Sequence, residues 1–288
     1  MRRELPPRLS ILLAAGLFST AGFFMGFLDM NVWAILFWRS LFALGFTSIF
    51  VAMRPTSIAL LCLDRAGLLA AILSAAATLT FIPSLRLTSV ANVAVIHGAL
   101  PLIAVALSRL ILTEQMGHRT IGLCLSVALG AIIIFAGSAS SGIRLAGDGL
   151  ALMMTIFMAL MTIALRRSLV PSVLPMVWLS NAIAVLAGVA LAPSLALDAK
   201  QVFVTACFAL FQISFGLILY ARGARRLPPP ETALLSLCEV PLSGLWVWLA
   251  FDQRPALLMV IGGGVILVSV AAHLTMQKKP IGANGGLI

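Results

Sequence analysis

Charged side chains are scarce in this sequence. Only 10% of its 288 residues are charged, where a soluble domain carries about 25%, and 61% are hydrophobic. Such a chain has too little polar surface to cover a water-soluble globule. The composition therefore excludes a soluble globular protein.

Motifs that carry chemistry are also missing. The sequence has no G-x-x-x-x-G-K-[ST] loop for nucleotide phosphates, so we do not expect ATP to drive it directly. Its three histidines form no H-E-x-x-H site, its four cysteines lack metal-ligand spacing, and there is no G-x-S-x-G element. We therefore expect no cofactor, no metal and no enzymatic activity. The alternative from another class is a membrane-integral enzyme acting on lipid-linked substrates.

The sequence does contain a series of long apolar runs. Ten of them reach about 20 residues with almost no charge, which is enough to cross a hydrocarbon core about 30 Å thick as a helix. We predict an all-α membrane protein with ten transmembrane helices. The predicted spans are 9–28, 32–52, 67–85, 89–110, 119–137, 148–165, 173–192, 202–221, 231–251 and 256–275.

Basic residues favour one face of this predicted bundle. With the N-terminus in the cytoplasm, fourteen of the nineteen Lys and Arg residues fall on the cytoplasmic side and four fall outside. This asymmetry predicts cytoplasmic N- and C-termini. The net charge of +10 is spread over those loops, so the expected partners are the lipid bilayer and a small-molecule substrate, and not nucleic acid. The oligomeric state is left open, and a monomer is compatible with the sequence.

The two halves of the chain are weakly similar. Residues 86–122 align with residues 226–262 at one constant offset. The matched pairs include Arg86 with Arg226, Pro101 with Pro241 and Gly122 with Gly262. Each half then holds five spans, and because five is odd, the second half enters the membrane from the opposite face. We predict two inverted five-helix repeats, residues 1–140 and 141–288, an arrangement typical of secondary transporters.

The motifs of the first half resemble a known family. LFWRSLFAL (36–44) and the segment 84–135 contain an arginine early in helix two, a proline in helix four, and then Glu114 followed by Gly122. These features resemble the EamA-type repeat of the drug/metabolite transporter (DMT) superfamily, and the chain looks most like bacterial aromatic amino-acid exporters. The second half departs at the acid, where Arg254 stands in the place of Glu114. The resemblance implies ten helices, cytoplasmic termini, a place in the bacterial inner membrane and a central cavity between the halves, without fixing the substrate.

Glu239 is the acid in the middle of predicted span nine. An ionised side chain at the bilayer centre costs roughly 3 kcal/mol, so Glu239 must face a wet cavity, find a partner or stay protonated. Helical spacing aligns it with Ser236, Ser243 and Trp246, a stripe suited to a zwitterionic aromatic solute. The alternatives to a substrate-binding role are a structural hydrogen bond beside the carbonyl of Leu237 and a role in carrying protons.

Other candidate substrate-binding residues lie on other spans. His97 is interpreted as facing a substrate carboxylate or Glu239, with a hydrogen bond to neighbouring backbone as the alternative. Phe81, Thr78, Trp178 and Gln212 complete the predicted site. For each of these four the alternative is packing between helices. Arg39 is expected to reach the outer headgroups or Asp29, with carboxylate binding as its alternative.

Together these patterns predict a secondary transporter that exports aromatic or other hydrophobic amino acids and related metabolites by alternating access. A proton-coupled exporter of cationic drugs is the alternative within the class, because one membrane-centred acid suits a cation as well as a zwitterion. The direction of transport follows from the resemblance alone.

Overall fold

A computed structural model describes residues 5–53, 62–88, 90–113, 117–136, 145–170, 172–252 and 257–276. Over these ranges the chain is entirely helical and forms no strand. The helices are α1 (Pro7–Phe18), α2 (Ala21–Gly26), α3 (Val32–Ala52), α4 (Arg65–Leu87), α5 (Val90–Gly98), α6 (Leu100–Ile111), α7 (His118–Ala136), α8 (Leu145–Arg167), α9 (Leu174–Leu191), α10 (Ala199–Phe208), a π-helical segment (Ala209–Leu217), α11 (Ile218–Ala224), α12 (Pro229–Ser236), α13 (Glu239–Phe251) and α14 (Leu257–Met276).

These helices form ten apolar segments, numbered here in chain order. Segments one (α1–α2), four (α5–α6), eight (α10–α11) and nine (α12–α13) are composite, and each of the others is one helix. Among the described residues, nine segments are long and apolar enough to cross a membrane, and segment five (α7) is a shorter apolar helix. The protein is therefore a multi-pass membrane protein, and nine of the predicted spans are confirmed as membrane-length helices.

Contacts between helix termini define one end of the bundle, called here the Arg8 end. Arg8, at the start of α1, pairs with Glu231 of α12. Asp64 caps α4 and accepts hydrogen bonds from the Ser168 hydroxyl (2.9 Å) and the Leu169 N–H (2.8 Å) after α8. Partial burial opposes ionisation of Asp64, but these hydrogen bonds outweigh it and lower the pKa of its carboxyl group.

The opposite end, called here the Arg86 end, is joined by a separate set of contacts. Arg86 at the end of α4 donates to the Leu28 carbonyl after α2 (3.1 Å). Thr88 donates to Asp148 in the first turn of α8 (2.7 Å), and Lys200 at the start of α10 lies 6.0 Å from the Phe27 ring. Successive chain reversals thus alternate between the two ends, so neighbouring segments run antiparallel.

Packing between segments is close wherever small residues face a partner. Segments two and seven pack together, and a Cβ built on Gly188 would lie 2.7 Å from the Cβ of Phe37. Segments five and ten also pack together, with Ser126 and Ser269 hydroxyls 2.7 Å apart. Segments four and nine, three and six, and one and eight are also in contact. The predicted boundary between halves, at residue 140, lies outside the described residues.

Segments four and nine are both interrupted near a proline. The break between α5 and α6 precedes Pro101, and the break between α12 and α13 precedes Pro241. A proline provides no N–H for the preceding turn, which loosens the helix at that point. In segment nine the Leu237 carbonyl accepts from the Val240 N–H at 3.1 Å. That carbonyl therefore keeps a hydrogen-bond donor, although Pro241 provides none.

Candidate functional site

His97 and Glu239 meet where the two interrupted segments pack together. His97 lies in the last turn of α5 and Glu239 is the first residue of α13. The imidazole Nε2 is 3.0 Å from the carboxylate Oε1. The contact with Glu239 that the sequence predicted for His97 is therefore present in the structure.

Backbone dipoles favour charge on both partners. The N-terminus of a helix stabilises a carboxylate and the C-terminus stabilises an imidazolium, by about 0.3–1 kcal/mol each. Glu239 and His97 occupy these two favourable positions. The helix interruptions that produce these termini inside the bundle thus make the charged pair less costly.

The pair is close but not locked by an aligned hydrogen bond. Among the described residues, neither ring nitrogen of His97 has a hydrogen-bond partner, although Nε2 lies close to Glu239. We take the short distance as an electrostatic contact, because the N–H direction misses the oxygen. The Glu239 side chain is 20% exposed and that of His97 is 6% exposed. The carboxylate therefore keeps accessible lone pairs that are able to receive a second cation.

The predicted stripe on segment nine has partners of its own. Trp246 donates its indole N–H to the Ser19 hydroxyl, where α1 ends (2.9 Å). Ser243 donates to the Val240 carbonyl of its own helix (2.7 Å), and Ser236 bonds its own helix in the same way. Trp246 thus ties segment nine to segment one, whereas the two serines satisfy local backbone.

Gln212 belongs to a second buried polar cluster. It lies in the π-helical segment, accepts a hydrogen bond from Arg39 Nη1 (2.8 Å) and donates to the Phe18 carbonyl (3.4 Å). The Arg39 guanidinium also lies 5.1 Å from the centre of the Phe208 ring. Arg39 is only 1% exposed, so the expectation that it reaches headgroups or Asp29 was wrong. Its long side chain turns inward because Gln212 and Phe208 provide a polar and an aromatic partner there.

The remaining predicted residues lie in different surroundings. Trp178 is 40% exposed and donates to Ser48 of α3 (2.9 Å), at a shallow surface groove between α3 and α9. Phe81 is partly buried and contacts three separate core clusters. Thr78, on the same helix as Phe81, is also partly buried. The structure brings His97 and Glu239 together, but gives Trp178 a partner outside that pair.

Sequence reasoning missed a three-residue ionic cluster at the Arg8 end. Glu231 is 4% exposed, and its carboxylate lies 2.8 Å from Arg8 Nε and 3.4 Å from His273 Nε2. These residues come from segments nine, one and ten, so only folding brings them together. The available signal was an acid at the start of an apolar run, where burial demands a cationic partner.

No metal centre is suggested by the described residues, which contain no group of three or more His, Cys, Asp or Glu side chains able to hold an ion. The chemistry of the site is instead that of separated single charges: a carboxylate, an imidazole and a buried guanidinium, with aromatic rings and hydroxyl groups on the same helices.

The fold and site define an all-helical, multi-pass membrane protein with interrupted helices meeting at a charged pair, as in many transporters. Residues 7–136 match the family described as EamA-like transporter family, so this part of the chain is similar to transporters of the DMT type. A solved structure described as "Crystal structure of protein" has a TM-score of 0.76 and 16% identity, and the match covers 94% of this chain and 96% of that chain. That likeness shows a shared fold alone. No curated protein matches the chain.

Proposed function

We propose that this protein is a secondary transporter of the bacterial inner membrane that exports aromatic or other hydrophobic amino acids and related metabolites. The observation that carries the proposal is the His97–Glu239 pair, 3.0 Å apart at the junction of two interrupted helices in a chain with an EamA-like domain. Interrupted helices that present charge within the membrane are typical of solute sites in secondary transporters.

The ten segments act as two inverted repeats of five. Their pairings support this arrangement. If segments one to five correspond in order to segments six to ten, then segment three corresponds to eight and segment six to one. A contact of three with six thus requires an equivalent contact of eight with one, and both are present. The pairings of two with seven, four with nine, and five with ten each join two corresponding segments, so exchanging the halves leaves them unchanged. Equivalent packing in both halves is what an alternating-access cycle requires, because each half must offer the same interface in turn.

Polar contacts between the halves follow the same relation. Arg8 corresponds to Asp148 at the repeat offset, and each lies at the start of its half. Arg8 contacts Glu231 of segment nine at the Arg8 end, and Asp148 accepts from Asn92 of segment four at the Arg86 end. With the Arg8 end in the cytoplasm, these two contacts close opposite sides of the solute path and separate in alternate states.

Glu239 receives the ammonium group of the solute. Its carboxylate has no aligned hydrogen bond to His97 and is partly exposed, so an incoming ammonium group is able to replace the imidazole as its nearest cation. Trp246, two turns further along α13, offers an aromatic surface for the ring of the solute. Because His97 and the solute compete for the Glu239 carboxylate, the site binds the solute without holding it too tightly for release.

Transport by the purified full chain in liposomes tests this function. Uptake of labelled tryptophan, phenylalanine, alanine and a quaternary ammonium dye is measured with and without a pH gradient, for the native chain and Glu239→Gln. We expect saturable transport of the aromatic amino acids that falls in the variant. Movement of the dye alone would favour a cationic drug exporter, and chemical conversion of a lipid-linked substrate would favour an enzyme.

A matched control variant is Glu231→Gln. It removes the other buried carboxylate of segment nine, which pairs with Arg8 and His273 and not with His97. We expect this variant to keep the native preference among solutes, even if its total activity falls. Loss of the aromatic preference in Glu231→Gln but not in Glu239→Gln would contradict the assignment.

A further inference from the structure

Arg39 is a cation buried in the membrane interior with no acidic partner among the described residues. It is 1% exposed, and its guanidinium contacts the Gln212 amide oxygen and the Phe208 ring. Its Nε has no hydrogen-bond partner in the described part of the chain. Burying an unpaired charge is costly, and an ionisable group inside a membrane protein points by default to function.

Unpaired polar atoms are frequent on the two segments that Arg39 and Gln212 join. Segment two packs against segment eight. Within the described ranges, four buried side-chain atoms without hydrogen-bond partners belong to these two segments: Arg39 Nε, Ser40 Oγ, Thr205 Oγ1 and Ser214 Oγ. Buried hydroxyls normally find a partner, often a carbonyl of their own helix. Two neighbouring segments with this many unpaired polar atoms are better suited to a polar solute than to packing alone.

The local backbone is also irregular at this interface. Segment eight changes to a π-helix over Ala209–Leu217, which holds Gln212 against Arg39. Such widened turns are rare and occur frequently at functional sites. Gln212 is neutral, so it orients the guanidinium without cancelling its charge.

We propose that Arg39 binds the carboxylate of the transported solute, with Gln212 as the positioning residue that aims the guanidinium. This inference rests on the proposed transport function and assigns it to solutes that carry a carboxylate. A guanidinium matches a carboxylate through paired N–H donors, and the unpaired Nε provides one of them. A cationic solute finds no such partner in Arg39, which repels it.

The test separates the two charged ends of an aromatic amino acid. Counterflow of labelled tryptophan is measured in liposomes that carry the full chain, with unlabelled tryptophan or its decarboxylated amine as competitor. In the native protein we expect the amine to compete at least about tenfold more weakly, the loss of a charge-assisted contact. In Arg39→Met we expect tryptophan to lose about 10- to 100-fold in affinity, with little change for the amine.

A second variant keeps the proposal testable if Arg39→Met does not fold. Gln212→Glu places an internal carboxylate beside the Arg39 guanidinium. This internal carboxylate then takes the position of the solute carboxylate. We expect this variant to melt at a higher temperature than the native protein, yet to bind tryptophan about 10-fold or more weakly. Melting temperatures with and without tryptophan report binding independently of transport. Arg86→Met, which removes an arginine bonded to the Leu28 carbonyl, is the control and should keep the preference for tryptophan.

The outcomes distinguish this inference from the function on which it rests. If the native chain transports neither tryptophan nor its amine, the proposed function fails. If it transports tryptophan but Arg39→Met and Gln212→Glu keep the native ratio of affinities, only the role of Arg39 is overturned. A native protein that prefers the amine would also overturn that role.

Discussion

The coupling between His97 and Glu239 is measurable by a double-mutant cycle. Glu239→Gln, His97→Gln and the double variant are compared by reversible unfolding in mixed micelles. At the observed separation of 3.0 Å, an effective dielectric constant of about 20 gives a Coulomb attraction of about 5–6 kcal/mol for a fully charged pair. Desolvation opposes much of this, and the misaligned N–H adds little hydrogen bonding.

We therefore expect a net coupling energy of about 1–2 kcal/mol, with the double variant less destabilised than the sum of the single variants.

The control cycle combines His97→Gln with Glu231→Gln. Glu231 is on the same segment as Glu239 but contacts Arg8 and His273 instead. These two changes should be additive within about 0.5 kcal/mol. If the His97–Glu239 coupling is also below about 0.5 kcal/mol, the two groups do not interact in the folded protein and our reasoning about the site is refuted.

Three further predictions address the packing and the ends of the bundle. Arg8→Gln should destabilise the protein by about 1–3 kcal/mol, because it leaves the buried Glu231 carboxylate without its nearest cation, as measured by thermal unfolding. Asp64→Asn should destabilise the protein by about 0.5–1.5 kcal/mol at neutral pH, because Asn keeps the cap of α4 but its amide nitrogen cannot accept from the Leu169 N–H. The pKa of Asp64 is lower in the folded protein than in the unfolded chain. Its ionised carboxylate therefore stabilises the fold at pH values above the pKa of the unfolded chain, and this stabilisation is lost as the pH falls through the pKa of the folded protein. Because Asn does not ionise, the variant should lose less stability at acidic pH. Gly188→Ala should destabilise the protein by about 1–3 kcal/mol through overpacking, whereas Gly45→Ala, which meets nothing within 4 Å, should be neutral or slightly stabilising.

Each of these predictions has a specific contrary result. Equal melting temperatures for Arg8→Gln and the native chain would mean that Arg8 does not stabilise the Glu231 carboxylate. An unchanged acid dependence in Asp64→Asn would mean that its hydrogen bonds do not persist in solution. If Gly188→Ala and Gly45→Ala behave alike, segments two and seven are not in close contact.

Hydrophobic patterning was sufficient to predict the helices. Apolar runs of about 20 residues have one stable form in a bilayer, because every backbone group must be hydrogen-bonded within the segment. The predicted spans therefore agree with the observed helices, including the prolines of segments four and nine, which mark their interruptions. The sequence was less informative about helix type, and nothing in it predicted the π-helical turn at Gln212.

The sequence identified several of the charged residues, but not all of their partners, for a physical reason. The high cost of charge in the membrane made Glu239, His97 and Arg39 stand out as residues in need of partners. Which partner each found depended on contacts far apart in the chain: His97 with Glu239, Arg39 with Gln212, and Glu231 with Arg8. The sequence alone determined that these side chains needed compensation. Only the packing of the helices decided that His97 and Glu239 share a site and that Arg39 turns inward and is buried.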